Sequence, residues 1–174
     1  MGIIICGLNG AGKSALGKAL AEKLHFHFID IENLYFPGAD TDYVYAFSRT
    51  REEVESLLLS EIKRHKNFIL ASVKGDYGEE ISSFFQCVIM INASKEIRMQ
   101  RVKKRSFQRF GNRVLPGGDL FEKEENFFNF VRNREESIVE EWAKSLSCPI
   151  IRVDGTKSIE ENTNFLHQKI KESV

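Results

Sequence analysis

Gly7-Leu8-Asn9-Gly10-Ala11-Gly12-Lys13-Ser14 fills every fixed position of the pattern G-x-x-x-x-G-K-[ST], and its flanks decide the fold. Before it stands Met1-Gly2-Ile3-Ile4-Ile5-Cys6, an apolar run of strand length. After it, Ala15-Leu16-Gly17-Lys18-Ala19-Leu20-Ala21-Glu22-Lys23-Leu24 has helical periodicity, with Leu16, Leu20 and Leu24 on one face. Strand, glycine loop and helix are the setting that separates a phosphate cradle (Walker A, or P-loop) from a chance match in a glycine-rich turn. The glycines let backbone N–H groups turn inward around phosphate oxygens, and the helix N-terminus adds the positive end of its dipole. The expected ligand is a nucleoside triphosphate with Mg2+, held by Gly7, Asn9, Gly10, Ala11, Gly12, Lys13, Ser14 and Ala15. Lys13 would reach the β- and γ-phosphates and the Ser14 hydroxyl would ligate the metal. In the empty loop Lys13 is expected to be exposed.

Outward from the loop, apolar strands alternate with helices. Phe26-His27-Phe28-Ile29-Asp30 reads as a second strand that ends on an acid. Leu34 to Phe47 is irregular and aromatic-rich, broken by Pro37-Gly38. Thr50-Arg51-Glu52-Glu53 is a capping box, which predicts a helix to about Arg64 with Val54, Leu57, Leu58 and Ile62 as its apolar face. Phe68–Ser72 and Cys87–Ile91 are the third and fourth strands. A helix should begin near Ser94, stop at Pro116-Gly117-Gly118, and be followed by another from about Glu122 to Leu146 that buries Phe127, Phe128, Phe130 and Trp142. Pro149–Val153 is a fifth strand. Ser158-Ile159-Glu160-Glu161 caps a last amphipathic helix with Ile159, Phe165, Leu166 and Ile170 inside. Continuous apolar strands separated by helices predict a parallel sheet covered on both faces. The expected fold is α/β, a three-layer, doubly wound, five-stranded parallel sheet in one domain over residues 1–174, with ligands at the carboxyl ends of the strands.

The composition suits that domain. In 174 residues, 42% are hydrophobic and 29% charged, as in an ordinary globule. The N-terminus has no basic region before its apolar run, so no signal peptide is expected. No apolar stretch approaches the roughly 20 residues of a membrane span. Cys6, Cys87 and Cys148 lie far apart, in or beside strands, and read as reduced core residues. We therefore expect a cytoplasmic protein, monomeric or dimeric, with neither a membrane nor a nucleic acid as partner. The net charge of zero hides an uneven distribution. Lys95 to Arg113 carries eight basic residues and one acid, and Asp119 to Glu141 carries eight acids against three bases.

An acid that closes the third apolar strand would hold Mg2+ and activate water in a motor-type ATPase. Here that strand ends Ala71-Ser72-Val73-Lys74-Gly75-Asp76, and the acid at a strand end is Asp30 instead. Lys74 and Asp76 are either part of the functional edge or a simple turn. Gly7 to Glu32, with its G-x-x-G-x-G-K-S-x-x-G-x-x-L-A core and the Phe28-Ile29-Asp30-Ile31-Glu32 strand end, resembles shikimate kinase and its relatives, the nucleoside monophosphate kinases. In weaker form the resemblance extends over most of the chain. It implies a kinase that moves the γ-phosphoryl group of Mg·ATP to a small-molecule acceptor, with an acceptor segment at about 33–65 and a lid at about 101–120. It gives Asp30 the Mg2+-supporting role and Glu32 the second position of the D-x-D pair. Arg51, with Arg49 beside it, takes the place of the acceptor-binding arginine before the third strand. Arg134, in Arg134-Glu-Glu-Ser-Ile138-Val-Glu140, echoes a second acceptor- or phosphate-binding arginine, and Thr156 follows the fifth strand where the adenine would pack.

Arg101, Arg105, Arg109 and Arg113 recur every four residues, which would stack them in one column on a helix. Stacked guanidinium groups repel unless something anionic lies against them, and their bidentate, permanently charged forks suit a triphosphate. By the resemblance, Arg101 and Arg105 are the lid residues that stabilise the transferring group, beside Lys13 and Asp30 as catalytic residues. The alternative is a solvated basic face paired with the acidic helix beyond Gly118. A regulatory protein that binds ATP without metabolite kinase activity is the competing function. Three departures from the family pattern stand out: no Gly-Gly-Gly ends the third strand, Ala15 replaces the Thr after G-K-S, and the acceptor segment is rich in Phe and Tyr. An aromatic segment suits a planar or apolar acceptor better than a polyol, so a nucleotide or another hydroxylated metabolite fits as well as shikimate. His25 and His27 have no Cys or carboxylate nearby in sequence at metal-ligand spacing and are expected to pack.

Overall fold

Five strands, the central three apolar on both faces, form the middle layer of the computed structural model, which describes residues 1–38 and 42–172. Residues 39–41 of the aromatic-rich segment and 173–174 of the single expected domain lie outside the described residues. In chain order the elements are β1 (Gly2–Cys6), α1 (Lys13–Leu24), β2 (His27–Asp30), α2 (Ile31–Tyr35), α3 (Arg51–Arg64), β3 (Phe68–Ser72) and α4 (Glu79–Ser82). They continue with β4 (Phe85–Asn92), α5 (Lys95–Phe110), a 3-10 turn (Gly111–Val114), α6 (Phe121–Asn133), α7 (Ile138–Lys144), β5 (Ile150–Asp154) and α8 (Ile159–Glu172).

The sheet order is β2-β3-β1-β4-β5, and every pairing is parallel. Alternate side chains leave opposite faces of a strand, so the run Ile3-Ile4-Ile5-Cys6 feeds two cores. Ile3 and Ile5 join Leu16, Leu20, Ile89 and Leu166 under α1 and α8. Ile4 and Cys6 join Val54, Leu58, Leu70, Met90 and Val139 under α3 and α7. All three cysteines are free; Cys6 and Cys87 are buried and Cys148 is half-buried. Strand β1 lies between β3 and β4, and the chain leaves to opposite sides of it. That switch point is where an open α/β sheet forms its crevice, and residues 7–14 occupy it.

Several sequence expectations need correction. The helix expected from about Glu122 to Leu146 is two helices, broken where Arg134 takes extended backbone at ψ 129. The break lets Glu136 reach the buried guanidinium of Arg98 at 2.6 Å, and a buried charge must have such a partner. Phe130 is 58% exposed and not core, because α6 turns that face toward a cavity. Phe128 is buried, while Phe127 and Trp142 are partly so. Leu57, Ile159 and Phe165 also fall outside the buried stripes, which run through Val54, Leu58 and Ile62 on α3 and through Thr163, Leu166 and Ile170 on α8. Arg113 leaves the expected column: α5 stops at Phe110, Gly111 follows at φ 59, and Arg113 grips Asp119 at 2.6 Å.

The capping box at Thr50 forms as expected: its hydroxyl accepts from Glu53 N at 3.2 Å and the Glu53 carboxylate accepts from Thr50 N at 2.8 Å. Thr50→Ala should destabilise the protein by about 1 kcal/mol, read as a lower urea midpoint at unchanged slope, and Thr50→Ser should restore most of it.

Candidate functional site

The loop at the switch point is shaped by backbone that only glycine accepts. Gly10 has φ +83, and a Cβ there would lie 2.4 Å from the carbonyl oxygen of Arg98 in the first turn of α5. Gly12 follows at φ +111, and no side chain caps α1, so the first N–H groups of that helix face the loop interior. This cradle suits phosphate oxygens, and Ser14 and Asp30 supply the oxygen donors that Mg2+ prefers.

Lys13 does not stand exposed in the loop, contrary to expectation. It is half-buried, and its ammonium donates to the Leu8 carbonyl at 3.2 Å. Burial lowers its pKa from 10.5 to about 8, with Arg105 adding repulsion and Asp30 and Glu32 opposing it. Without an anion the protein holds this charge at a cost, because desolvation disfavours the ammonium.

Lys13 and Ser14 open into a cavity of about 910 Å3, a size that suits a bound metabolite beside a triphosphate tail. Its floor includes Asn9, Asp30, Glu32, Ser72 and Lys74; Arg101 and Arg105 of α5 and Phe127 and Phe130 of α6 form one wall. Tyr35, Phe36, Tyr43 and Tyr45 complete the lining, with Tyr45 packed against Phe127 of α6. Six cationic residues (Lys13, Arg51, Lys74, Arg101, Arg105 and Arg134) face three carboxylates (Asp30, Glu32 and Asp76) in this lining. The excess of positive charge favours anionic occupants.

Each arm of the cavity is fixed by contacts from another element. Asp30 caps α2 by accepting from Glu32 N at 3.1 Å. Glu32 accepts from the Tyr45 hydroxyl at 2.7 Å and lies 4.0 Å from the Arg105 guanidinium. The Tyr45 hydroxyl in turn accepts from Arg109 at 2.7 Å, and burial and Glu32 push its pKa up to about 12. Arg101 donates to the carbonyls of Gly10, Ala11 and Gly155, the last at 2.9 Å, so it binds the back of the loop to the turn after β5. Arg134 donates to the Asn9 side chain at 3.1 Å and sits over the Phe130 ring. Arg51 binds Glu55 at 2.8 Å and the Asp76 carbonyl, while Lys74 pairs with the Asp76 carboxylate at 2.8 Å. Lys74 and Asp76 therefore belong to the cavity and are more than a turn.

Four expected residues, Gly7, Ala11, Arg49 and Thr156, stand outside the cavity lining. Arg49 spends its guanidinium on the Leu34 carbonyl at 2.8 Å, which fixes the exit of α2. Thr156 donates its hydroxyl to Asp154 at 2.6 Å within the turn after β5. Gly7 and Ala11 support the loop from behind: Gly7 N donates to Val73 O at 3.2 Å and Ala11 N to Leu8 O at 3.1 Å. Sequence reasoning missed Tyr45 and Glu124. Glu124 is buried between α5 and the aromatic segment, where it accepts from Ser106 at 2.6 Å and Tyr43 at 2.8 Å. In sequence it is one acid among many, and only the tertiary pairing distinguishes it.

A family model described as an AAA domain matches residues 3–113. The Bacillus subtilis (strain 168) protein named "Uncharacterized protein YqaC" is 29% identical over 172 residues, covering 93% of each chain. The shikimate kinase of Caldanaerobacter subterraneus subsp. tengcongensis is 25% identical over 168 residues, covering 88% of this chain and 98% of its own. Among solved structures, a shikimate kinase from Acinetobacter baumannii in complex with shikimate aligns with a TM-score of 0.59 at 17% identity, over 99% of this chain and 93% of that one. That likeness shows the shared fold. Among the described residues, no helix is long and apolar enough to cross a membrane.

The lowered pKa of Lys13 gives a proton-linkage prediction. The buried ammonium costs stability below pH 8, and the cost fades as pH rises from about 8 towards 10.5, where the unfolded chain would still hold the proton. Lys13→Met should therefore leave the nucleotide-free protein at least as stable at pH 7. A triphosphate against Lys13 raises its pKa again, so Mg·ATP binding at pH 8.5 should take up protons, and at pH 6.5 Lys13 should contribute none. Titration calorimetry in buffers of different ionisation enthalpy reads the uptake, and Lys13→Met should abolish the Lys13 share.

Proposed function

The chain belongs to the AAA-domain family of P-loop proteins, with 3–113 as the matched residues, and on that premise we propose that it is a small-molecule kinase. The γ-phosphoryl group of Mg·ATP passes to a hydroxyl or phosphate oxygen of an acceptor seated in the aromatic cavity. One observation carries this reading: a single cavity joins the loop residues Lys13 and Ser14 to the carboxylates Asp30 and Glu32 and to Arg105 and Arg134. A donor site and an acceptor site with a shared wall are what direct transfer requires. Strand β3 supports the same conclusion, because it ends in Ser72, whose hydroxyl is engaged by Tyr77 and the Lys74 carbonyl. β3 itself thus closes on a hydroxyl and not on a carboxylate.

In this reading Lys13 and Arg105 gather negative charge as it shifts from the transferring group to its leaving oxygen, while Arg101 braces the loop from behind. Ser14 and Asp30 hold Mg2+, which when bound neutralises phosphate charge. Glu32, oriented by Tyr45, orients the acceptor oxygen and, where that oxygen is a hydroxyl, accepts its proton. Arg51 and Arg134 bind an anionic part of the acceptor, and the rings of Tyr35, Phe36, Phe127 and Phe130 cover its planar or apolar part. Catalysis is positioning and charge neutralisation in a site closed to water.

The test is ADP formation over a panel of nucleosides, nucleotides and hydroxylated acids. At least one acceptor should raise the rate well above background, and Lys13→Met should lower kcat about a hundredfold or more. Mg·ATP at a hundredfold excess over Kd should stabilise the wild type by roughly 2.7 kcal/mol and a Lys13→Ala variant far less. Stabilisation by ATP with no acceptor able to raise ADP formation would favour the regulatory reading over the kinase.

Residues 101–120 are proposed as the lid. Hydrogen exchange there should slow on addition of a non-hydrolysable ATP analogue with Mg2+ and should not respond to an oligonucleotide.

A further inference from the structure

At the amino end of β2, away from the phosphate loop, three potential metal ligands converge. His27 opens the strand, and Glu61 and His65 project from the last turn of α3 and its C-cap. Their ligand atoms all lie within 4.8 Å of one another. His27 Nε2 is 3.0 Å from Glu61 Oε2, and His65 Nε2 is 3.9 Å from the same oxygen. Sequence reading gave His27 a packing role because no Cys or carboxylate stands at metal-ligand spacing from it. The fold supplies one from 34 residues away.

Packing explains only part of this arrangement. A hydrogen bond accounts for His27 against Glu61, but 3.9 Å is too long to be one for His65. The two imidazoles are nonetheless stacked, with centroids 3.6 Å apart and planes within 11°, and the Nε2 atoms of both lie within 4 Å of one carboxylate oxygen. Two ligand atoms, each about 2.0–2.1 Å from a tetrahedral ion, lie roughly 3.4 Å apart. The gaps of 3.0 and 3.9 Å straddle that figure, and rotation of the two partly exposed rings out of their stack would aim both nitrogens at one ion.

We propose that His27, Glu61 and His65 form a binding site for a divalent transition-metal ion of the Zn2+ type. Two imidazole nitrogens and one carboxylate oxygen suit zinc, copper or nickel and do not suit Mg2+ or Ca2+, which prefer all-oxygen shells. Three protein ligands leave the fourth tetrahedral position to water. The side chains are 34%, 28% and 39% exposed, so an ion reaches the site from solvent. The supporting contacts are in place: Arg64 donates to the second oxygen of Glu61 at 3.3 Å. His27 N donates to the Asn67 carbonyl at 3.0 Å and His65 N to the Glu61 carbonyl at 3.2 Å, which holds both backbones still. Such outer contacts orient ligands. An ion here would pin β2, an edge strand of the sheet, to the helix whose first residue, Arg51, lines the large cavity. The site is structural and independent of the kinase reading.

Calorimetric titration of chelator-treated protein with ZnCl2, without nucleotide because triphosphates bind zinc, tests this. One equivalent should bind and raise the melting temperature, and MgCl2 at the same concentration should do neither. His65→Gln and Glu61→Gln should each weaken zinc binding at least about tenfold. The controls His25→Ala and Cys148→Ser should bind as the wild type does. His65→Gln alters a partly exposed residue beyond the helix end, and its circular dichroism should match the wild type. Absence of binding, or binding unchanged by both His65→Gln and Glu61→Gln, overturns the proposal.

Discussion

The guanidinium of Arg98 is almost wholly buried, at 4% exposure, and a charge so placed must be neutralised where it lies. Glu136 and the Ala93 carbonyl do this. To deliver Glu136 the chain must stop α6 at Asn133 and restart α7 at Ile138, and that interruption sends Arg134 to Asn9 on the loop. The backbone of the same arginine presses its carbonyl against Gly10. One residue thus fixes the rear of the phosphate loop, the path of the α6–α7 segment and the position of a cavity arginine.

The cavity itself is a balance of unlike charges that no internal pairing fully settles. Glu32 is shared by Tyr45 and Arg105, and Asp76 is shared by Lys74 and Arg51. Lys13 and Arg134 are left with carbonyl or amide oxygens, Leu8 for one and Asn9 for the other, and burial lowers the pKa of both. These two side chains have the most to gain from an arriving anion. Their placement at the junction of loop and cavity puts that gain where a transferred group would sit.

The parallel sheet was legible because its cause is local: uninterrupted apolar strands, a glycine loop with the right flanks, and capping residues at Thr50 and Ser158 whose hydrogen bonds both form. Motif and resemblance pointed to the loop residues, Asp30, Glu32, Arg101, Arg105 and Arg134, and the fold gathers them at one crevice or its rim. What sequence could not give depends on contacts between distant segments. The i, i+4 rule placed Arg113 in a column that Gly111 ends. Helical periodicity ran through Arg134 because the demand that breaks it comes from Arg98, 36 positions earlier. Tyr45 and Glu124 owe their roles to partners 13 to 81 residues away, and no spacing rule reaches so far.

Gly155 lies close behind the phosphate loop: a Cβ there would meet the Ala11 carbonyl at 2.6 Å, and Arg101 clasps the Gly155 carbonyl from the other side. The matched family region stops at 113, yet this backing wall comes from residue 155. A ribosome making the protein in order would release the loop early and its wall well over a hundred residues later. Until β5 docks on β4, the nascent loop would have glycines and no mould to hold them. The ability to grip a triphosphate would thus wait on residue 155, and dissecting the protein at the family boundary would yield a motif without its shape.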